Sequence, residues 1–383
     1  MKKIVQAWTG ISLVQRIVAG LVIGALLGMF VPSEGGIAIL GDVFVGALKA
    51  IAPLLVFFLV ISSLCYAGKS HGGVIRTVII MYMFSTFLAA IVAVTASSVF
   101  PVTLTLVDAA TDMAAPQGVA EVLRTLLMNV VTNPVQSLVS ANYIGILVWA
   151  VLIGIALRKA SDTTKQSLND ISAALSKTVT WIIQCAPFGI MGLVYNTVSV
   201  NGLSTFTEYG KLLAVLLGSM LFIYFVTNPI LVFWCIRKNP YPLIFKCLKK
   251  SAITAFFTRS SAANIPINME ACAEMGLDKD TYSVTIPLGA TINMDGAAIT
   301  ITVMTLAAAH TLGIAVDIPS AIILSILATL SACGASGVAG GSLLLIPMAC
   351  SLFGISNDIA MQIVGVGFII GVIQDSVETA INS

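Results

Sequence analysis

Charged residues are scarce in this chain, and their scarcity excludes an ordinary soluble domain. Only 9% of the 383 residues are charged and 58% are hydrophobic, whereas a typical soluble domain carries about 25% charged residues. The formal net charge is +2 and the charges gather in short loops, so no nucleic-acid partner is expected. We predict an all-α polytopic membrane protein, in contact with membrane lipid.

Histidines and paired cysteine motifs are also few. The seven cysteines form no CxxC pair, and the two histidines are His71 and His310, so neither residue type indicates a metal site. Residues 334–337 have the G-x-S-G pattern of rhomboid-like intramembrane proteases, but no histidine follows Ser336 to act as its base. We therefore predict that the protein is not an enzyme and has no organic cofactor.

The last 104 residues contain no lysine or arginine, although they include six acidic residues. Asp295, Asp375 and Glu378 lie inside or at the edge of stretches typical of membrane-buried helices. An unpaired carboxylate in hydrocarbon must be protonated, reach water or bind a cation. Because no basic partner is near in sequence, we expect the positive charge to come from a metal ion, a proton or a substrate ammonium. The pattern predicts a cation-coupled transporter.

Eight stretches are apolar enough to form membrane spans of about 20 residues. Two further segments, 247–276 and 319–353, each consist of two short apolar arms around a centre rich in small and polar residues. Non-helical backbone at membrane depth is tolerated only against protein or a polar cavity, so we predict two re-entrant helical hairpins. The predicted spans are residues 16–32, 43–66, 76–100, 143–158, 170–198, 211–236, 281–312 and 357–383.

The loop charges orient these spans. Basic loops, such as the one with Arg158 and Lys159, alternate with acidic loops, such as the one with Glu208, as the positive-inside rule requires. We expect a cytoplasmic N-terminus, a first hairpin that enters from the cytoplasm and a second that enters from outside. Residues 1–245 would form six N-terminal helices, and residues 246–383 an inverted repeat, which in transporters holds the binding site. Re-entrant loops also build channels, but two dissimilar hairpins favour a carrier.

The span after the first hairpin carries polar groups in its middle. Asn293 and Asp295 supply hard oxygen ligands, and Gly296 would allow the helix to unwind and free backbone carbonyls. Such ligands suit sodium better than a soft metal. The same side chains could instead bridge helices, and proton coupling through Asp295 or Glu378 remains open.

The last span and the first hairpin tip contain groups suited to an amino acid. Asp375, Thr379 and Asn382 lie at i, i+4 and i+7 and share one helical face, where they could bind an ammonium and a small side chain. Glu378 could face the same way or only mark the cytoplasmic end of the helix.

A substrate carboxylate could bind at the first hairpin tip, near Ser260 and Ser261, because helix N-termini attract anions. Arg259, at the same tip, could contact the substrate or act as a conformational latch. Lys49, inside the second span, is expected to extend its amine toward the membrane surface.

Two motifs and the small-residue centre of the second hairpin resemble one known family. TRSSAANIP at 258–266 and PLGATINMDGAAI at 287–299 are similar to the sodium-coupled dicarboxylate/amino-acid:cation symporters, the glutamate-transporter family. The resemblance covers essentially the whole chain and is greatest to bacterial members that take up serine and threonine. It implies eight spans, two hairpins and a homotrimer in the bacterial inner (plasma) membrane. It also implies a transport domain, joined by the third and sixth helices, that slides like an elevator.

The resemblance further implies three sodium sites and one substrate site. The first sodium set is Gly289, Asn293 and Asn382. The second, mostly through backbone oxygens, is Thr291, Met294, Ser331, Ala332 and Gly334. The third is Tyr82, Ser85, Thr86, Asn293 and Asp295. The substrate set is Arg259, Ser260, Ser261, Gly337, Asp375, Thr379 and Asn382.

Departures from the family indicate the substrate. Acidic-substrate members have arginine where this chain has Glu378 and threonine where it has Ala297, so a second substrate carboxylate would lose its partners. The family also places an aspartate, a sodium ligand, a few residues beyond Asn382, whereas this sequence ends at Ser383; either the sequence is truncated or the first sodium site is incomplete. We expect sodium-coupled uptake of L-serine and L-threonine. The alternative is a proton-coupled or acidic amino-acid symporter of the same fold.

Overall fold

A computed structural model of the chain describes residues 11–31, 36–66, 73–106, 128, 131–333, 335 and 340–383. These residues form helices joined by turns, and they contain no strand. Six of the described helices are long and apolar enough to cross a membrane, and a bent pair would add a seventh. The prediction of an all-helical, polytopic membrane protein is therefore confirmed.

The described helices up to residue 236 are mostly long and apolar. A π-helical segment, Ile223–Thr227, joins the helices Thr205–Phe222 and Asn228–Ile236 into one rod of 32 residues, Thr205–Ile236. The helices are α1 (Leu13–Phe30), α2 (Ala38–Tyr66), α3 (Gly73–Val99), α4 (Pro134–Val139), α5 (Tyr143–Ala156), α6 (Asp162–Gln184), α7 (Ala186–Asn201), α8 (Thr205–Phe222) and α9 (Asn228–Ile236).

The predicted span 170–198 is bent. The axes of α6 and α7 meet at 56° where α6 ends at Gln184 and α7 begins at Ala186. Pro187, in the first turn of α7, has no backbone N–H to donate to the preceding turn. The missing donor explains why the helix changes direction there.

Several described helices after residue 240 are too short to span a bilayer. A π-helical segment, Leu248–Ala252, joins the helix Tyr241–Cys247 to the helix Ile253–Thr258. A 3-10 turn, Ser342–Leu345, leads into the helix Ile346–Ser351. The helices are α10 (Tyr241–Cys247), α11 (Ile253–Thr258), α12 (Ser261–Glu274), α13 (Lys279–Ile292), α14 (Asp295–Thr311), α15 (Ile318–Ala332), α16 (Ile346–Ser351) and α17 (Asn357–Asn382).

The first predicted hairpin changes direction at Arg259. This residue ends α11 in the left-handed region, with φ 53° and ψ 35°, a backbone conformation that is uncommon outside glycine. Ser260 is extended, and its hydroxyl accepts a hydrogen bond from the Ala263 N–H at 3.2 Å, which caps the start of α12. Two short helices therefore meet at one tip.

The arms of the second predicted hairpin are equally short. α15 has 15 residues and is about 22 Å long, less than the roughly 30 Å of a hydrocarbon core. Hydrogen bonds from Ser320 to the Asp317 carboxylate cap its start and hold the pKa of Asp317 below its ordinary value. Within the predicted centre of the hairpin, residues 331–342, Gly334 and Gly337 lie outside the described residues.

The predicted span 281–312 is divided into α13 and α14 by a break at Asn293 and Met294, whose ψ angles are 80° and 60°. The expected unwinding is therefore present, but Gly296 does not cause it. Gly296 is the second residue of α14, where an added Cβ would lie 2.8 Å from the Glu378 carbonyl oxygen. The glycine allows α14 and α17 to touch.

Glycines also bring α1 and α7 together. An added Cβ would lie 2.1 Å from the Pro187 carbonyl oxygen at Gly20 and 2.4 Å from the Met191 carbonyl oxygen at Gly24. This spacing of four residues places glycine on one helical face, as in close-packed membrane helices. α7 packs against both α1 and α2, whereas α14 is buried along Asp295–Ala309 among α3, α8, α15 and α17.

Candidate functional site

The break between α13 and α14 lies against α3, where two hydroxyl groups converge on Asp295. Ser85 Oγ donates to Asp295 Oδ2 at 2.6 Å, and Thr86 Oγ1 donates to Oδ1 at 3.0 Å. Asp295 is only 2% exposed and forms no ion pair with any lysine or arginine in the described ranges. Since a carboxylate has about four acceptor positions, two donors leave it able to bind a cation.

A second oxygen near this carboxylate lacks a donor. Asn293 Oδ1 is buried and has no hydrogen-bond partner, although buried polar atoms in proteins are nearly always paired. Tyr82 instead donates to the Thr285 carbonyl oxygen at 3.2 Å, and its ring packs on Gly289. The structure therefore brings Ser85, Thr86 and Asp295 together, and Tyr82 contacts α13 further along. The oxygen donor set fits a small hard cation such as sodium.

The second predicted sodium set lies where the end of α15 contacts the break. The Cys333 thiol donates to the Ile292 carbonyl oxygen at 3.5 Å, which links the two segments. The hydroxyls of Thr291 and Ser331 donate to carbonyls of their own helices, those of Leu288 and Leu327.

Backbone oxygens of this set are already hydrogen-bonded in part. The Met294 and Ala332 carbonyls accept from Ala298 and Ala335. Gly334 lies outside the described residues, so the set is only partly described. Cys333 itself was missed by sequence reasoning, because a lone cysteine gives no signal.

Asn382, from the first predicted sodium set, caps α14. Its Oδ1 accepts a hydrogen bond from the Gly296 N–H at 2.8 Å, one of the unpaired donors at a helix start. The Gly289 carbonyl accepts from the Asn293 N–H at 2.9 Å, within the last turn of α13. Gly289 and Asn293 therefore contact each other before the break, and Asn382 contacts the start of α14 after it.

Asp375 is paired with Arg259. Arg259 Nε donates to Asp375 Oδ2 at 2.6 Å and Nη2 to the Gly371 carbonyl at 3.4 Å, while the Gly340 N–H donates to Asp375 Oδ1 at 3.0 Å. Gly340 has φ 73°, and an added Cβ would lie 2.9 Å from the Phe368 ring. The last helix, the first hairpin tip and the end of the second hairpin thus meet at one carboxylate.

This pair corrects an expectation. The prediction that the carboxylates of the last 104 residues lack a basic partner in the protein is wrong for Asp375, because the fold brings Arg259 to it across 116 positions. Lys49 of α2 pairs with Asp358, an exposed residue at the start of α17. This contact is compatible with the expectation that Lys49 extends its amine toward the membrane surface, which stays a prediction.

The other predicted substrate residues do not all contact Asp375. Thr379 Oγ1 donates to the Asp375 backbone carbonyl at 2.8 Å. Ser260 caps α12, and Ser261 beside it is buried. Asn382 contacts α14 instead. Gly337 lies outside the described residues.

Glu378 is buried in a separate polar network. Its Oε2 accepts hydrogen bonds from Thr300 Oγ1 at 2.7 Å, Ser342 Oγ at 2.8 Å and Gln374 Nε2. The side chain is 5% exposed, so the alternative that Glu378 only marks the helix end is wrong. Gln374 Oε1 is buried without a donor. Sequence reasoning missed the roles of Thr300 and Gln374, although a polar residue inside an apolar span is a signal that could have found them.

The space beside the Arg259–Asp375 pair is almost closed. A cavity of about 10 Å³ remains between this pair and Ile17, Ala186 and Ile190 of the N-terminal helices. Such a volume holds one water molecule at most. In this arrangement a ligand larger than a water molecule does not fit beside the pair.

Comparison with known proteins defines the class. Residues 13–383 match the sodium:dicarboxylate symporter family, and the chain belongs to this family of membrane transporters. It is 57% identical to the serine/threonine transporter SstT of Streptococcus thermophilus (strain ATCC BAA-250 / LMG 18311). It is also 57% identical to the serine/threonine transporter SstT of Streptococcus agalactiae serotype III (strain NEM316). Each alignment is 384 positions long and covers 100% of this chain and 96% of the relative.

Proposed function

We propose that the protein takes up L-serine and L-threonine together with sodium across the bacterial inner membrane. The observation that carries the proposal is the environment of Asp295, a buried carboxylate with two hydroxyl donors and no ion pair in the described part of the chain. Asn293 Oδ1, also buried and unpaired, supplies a further ligand. The names of the relatives support the substrate.

Sodium binds around Asp295 and Asn293 and orders the break, to which Asn382 of the last helix is also attached. The other predicted sodium ligands, those of the α15 end, complete a second site. The ion adds driving force, because each charge moved inward gains about 2.3 kcal/mol per 100 mV. A tenfold substrate gradient opposes uptake by about 1.4 kcal/mol.

The substrate ammonium binds Asp375 in place of Arg259. One cation replaces another on Asp375, so this buried carboxylate is never left without a positive partner, which would be strongly unfavourable. The substrate carboxylate binds at the first hairpin tip, near Ser261, and at Asn382. Thr379 and Gly337 complete the substrate site, and the second hairpin closes over it.

Glu378 selects against acidic substrates. Its carboxylate faces Thr300, Ser342 and Gln374, and the described residues around it supply no cation for a second substrate carboxylate. Serine and threonine carry no such group. The same buried, cation-free acid favours a second candidate function, proton-coupled transport, in which Glu378 carries the proton.

The architecture that we propose has eight spans and two re-entrant hairpins, with the N-terminus in the cytoplasm. The first, second, fourth and fifth spans form the scaffold of a homotrimer, and the glycine contacts between α1 and α7 hold two of these spans together within one chain. The third and sixth spans join residues 246–383 in a transport domain that slides as an elevator. The packing of α3 and α8 on α14 supports this division.

Uptake of labelled serine into proteoliposomes distinguishes the two candidates. An inward sodium gradient at equal pH on both sides is expected to drive accumulation. A proton gradient in sodium-free buffer is expected to drive none. Accumulation driven by the proton gradient alone would overturn the sodium proposal and favour the second candidate.

A further inference from the structure

We propose that the cytoplasmic-leaflet side of the protein binds one anionic phospholipid, with an acyl chain in an apolar groove and the phosphate on a basic cluster. The groove lies between the rod Thr205–Ile236, the first arm of the first hairpin and α17. It has a volume of about 270 Å³. Nothing in the proposed transport cycle uses it.

The lining of the groove suits a hydrocarbon chain. Two π-helical segments, Ile223–Thr227 and Leu248–Ala252, face each other across it, and Ile381 of α17 forms part of its wall. Phe257 and Ile253 on the groove are 76% and 48% exposed. The groove is therefore open to the side that faces lipid.

The polar atoms near the groove are already used by the protein. Tyr224 OH donates to the Ile244 carbonyl at 3.4 Å, and Tyr241 OH donates to the Phe225 carbonyl at 3.2 Å. These bonds satisfy carbonyls around the π-helical segments, which are less regular than an α-helix. A polar ligand would find few donors there, whereas an acyl chain needs none.

A basic cluster lies in the chain segment that connects two walls of the groove, the rod Thr205–Ile236 and the first arm of the first hairpin. Residues 237–250 contain five basic side chains and no acidic one. Lys249 belongs to the π-helical segment that lines the groove and is exposed, as is Lys238. Lys250 alone pairs with an acid, Glu274. Basic residues at this level attract the phosphates of anionic lipids.

Aromatic side chains indicate the depth of the cluster. Trp234 and Tyr241 are 65% and 43% exposed and lie on either side of Arg237 and Lys238 in the chain. Exposed tryptophan and tyrosine are typical of the headgroup layer. We therefore expect the basic cluster to lie in the layer of lipid phosphates and the groove to lie in the layer of acyl chains.

Bound lipid would contact the reverse side of the helix that carries the candidate substrate site. Val377, Ala380 and Ile381 line the groove, and they alternate along α17 with Glu378 and Thr379. The first arm of the first hairpin also lines the groove, and it ends at Arg259 of the candidate substrate site. Lipid occupancy is thus in a position to influence the substrate site.

Lipid retention after purification tests the proposal without any transport assay. The full-length protein is reconstituted in bilayers of equal phosphatidylglycerol and phosphatidylcholine and is then extracted, and the retained lipid is quantified by mass spectrometry. The wild type is expected to retain phosphatidylglycerol preferentially. Lys238→Gln with Lys249→Gln is expected to reduce that preference by about tenfold, since each basic group contributes attraction.

Matched variants separate the groove from general surface charge. Ile253→Trp, which fills the groove, is expected to reduce retention of both lipids. Lys211→Gln is the control, because Lys211 borders a larger apolar groove of about 890 Å³ between α3 and α8 and is the one basic residue lining it. Equal retention of both lipids by the wild type, or an equal effect of Lys211→Gln, would overturn the proposal.

Discussion

Arg259 and Asp375 form an ion pair of 2.6 Å in which the side chains are 11% and 4% exposed. The pair joins the tip of the first hairpin to the last helix at the place where we propose that the substrate ammonium binds. We therefore expect the substrate ammonium to compete with Arg259 for Asp375.

Replacing Asp375 tests the ammonium site. Asp375→Asn is expected to reduce serine uptake by roughly 30-fold or more, because loss of one member of a buried charge pair costs about 2–5 kcal/mol. Uptake in proteoliposomes and elution on size exclusion are the measurements. A folded variant with normal uptake would remove Asp375 from the substrate site.

Replacing Arg259 tests the competition. Arg259→Gln leaves Asp375 buried without its cation, so the substrate-free protein is expected to lose about 3 kcal/mol or more of stability. Serine is then expected to raise the melting temperature more than it does in the wild type. Lys250→Gln, which breaks the exposed pair with Glu274, should change stability little. Equal stabilisation of Arg259→Gln and wild type by serine would argue against the competition.

Replacing Asp295 tests the sodium site. Asp295→Asn is expected to reduce the rise in melting temperature that sodium chloride produces relative to choline chloride, because the amide removes the negative charge. Asp358→Asn serves as the control, since Asp358 is exposed at the start of α17. A full sodium response in Asp295→Asn would show that sodium binds elsewhere.

Replacing Glu378 tests selectivity. Glu378→Arg is expected to shift competition for serine uptake toward aspartate and glutamate, because the buried position then offers a cation to a second carboxylate. Glu378→Gln removes the charge but keeps the hydrogen-bonding shape, and it should not gain acidic substrates to the same degree. An unchanged competition profile in Glu378→Arg would contradict the selectivity argument.

Replacing a glycine of α1 tests the close packing with α7. Gly24→Ala is expected to destabilise the protein by about 1–3 kcal/mol, because its Cβ would lie 2.4 Å from the Met191 carbonyl oxygen. Gly210→Ala in α8 meets nothing within 4 Å and should be neutral or slightly stabilising. Thermal unfolding in detergent compares the two, and equal effects would contradict the packing argument.

The sequence predicted those features that depend on local pattern. Long apolar runs predicted the long helices, and the polar cluster with Gly296 predicted the break, although Gly296 itself lies within α14. Local pattern did not predict the pairs of residues that only the fold brings together. Arg259 and Asp375 lie 116 positions apart, and sequence spacing carries no information on contact at that separation. Gly20 and Gly24 had a visible spacing, but their partner helix could not be inferred from it.

The most direct measurement of the central claim is sodium influx driven by serine. Coupling is reciprocal, so an inward serine gradient should draw labelled sodium into proteoliposomes that contain equal sodium on both sides. We predict net sodium accumulation with the wild type and none with Asp295→Asn. Serine entry with no accompanying sodium in the wild type would contradict the account.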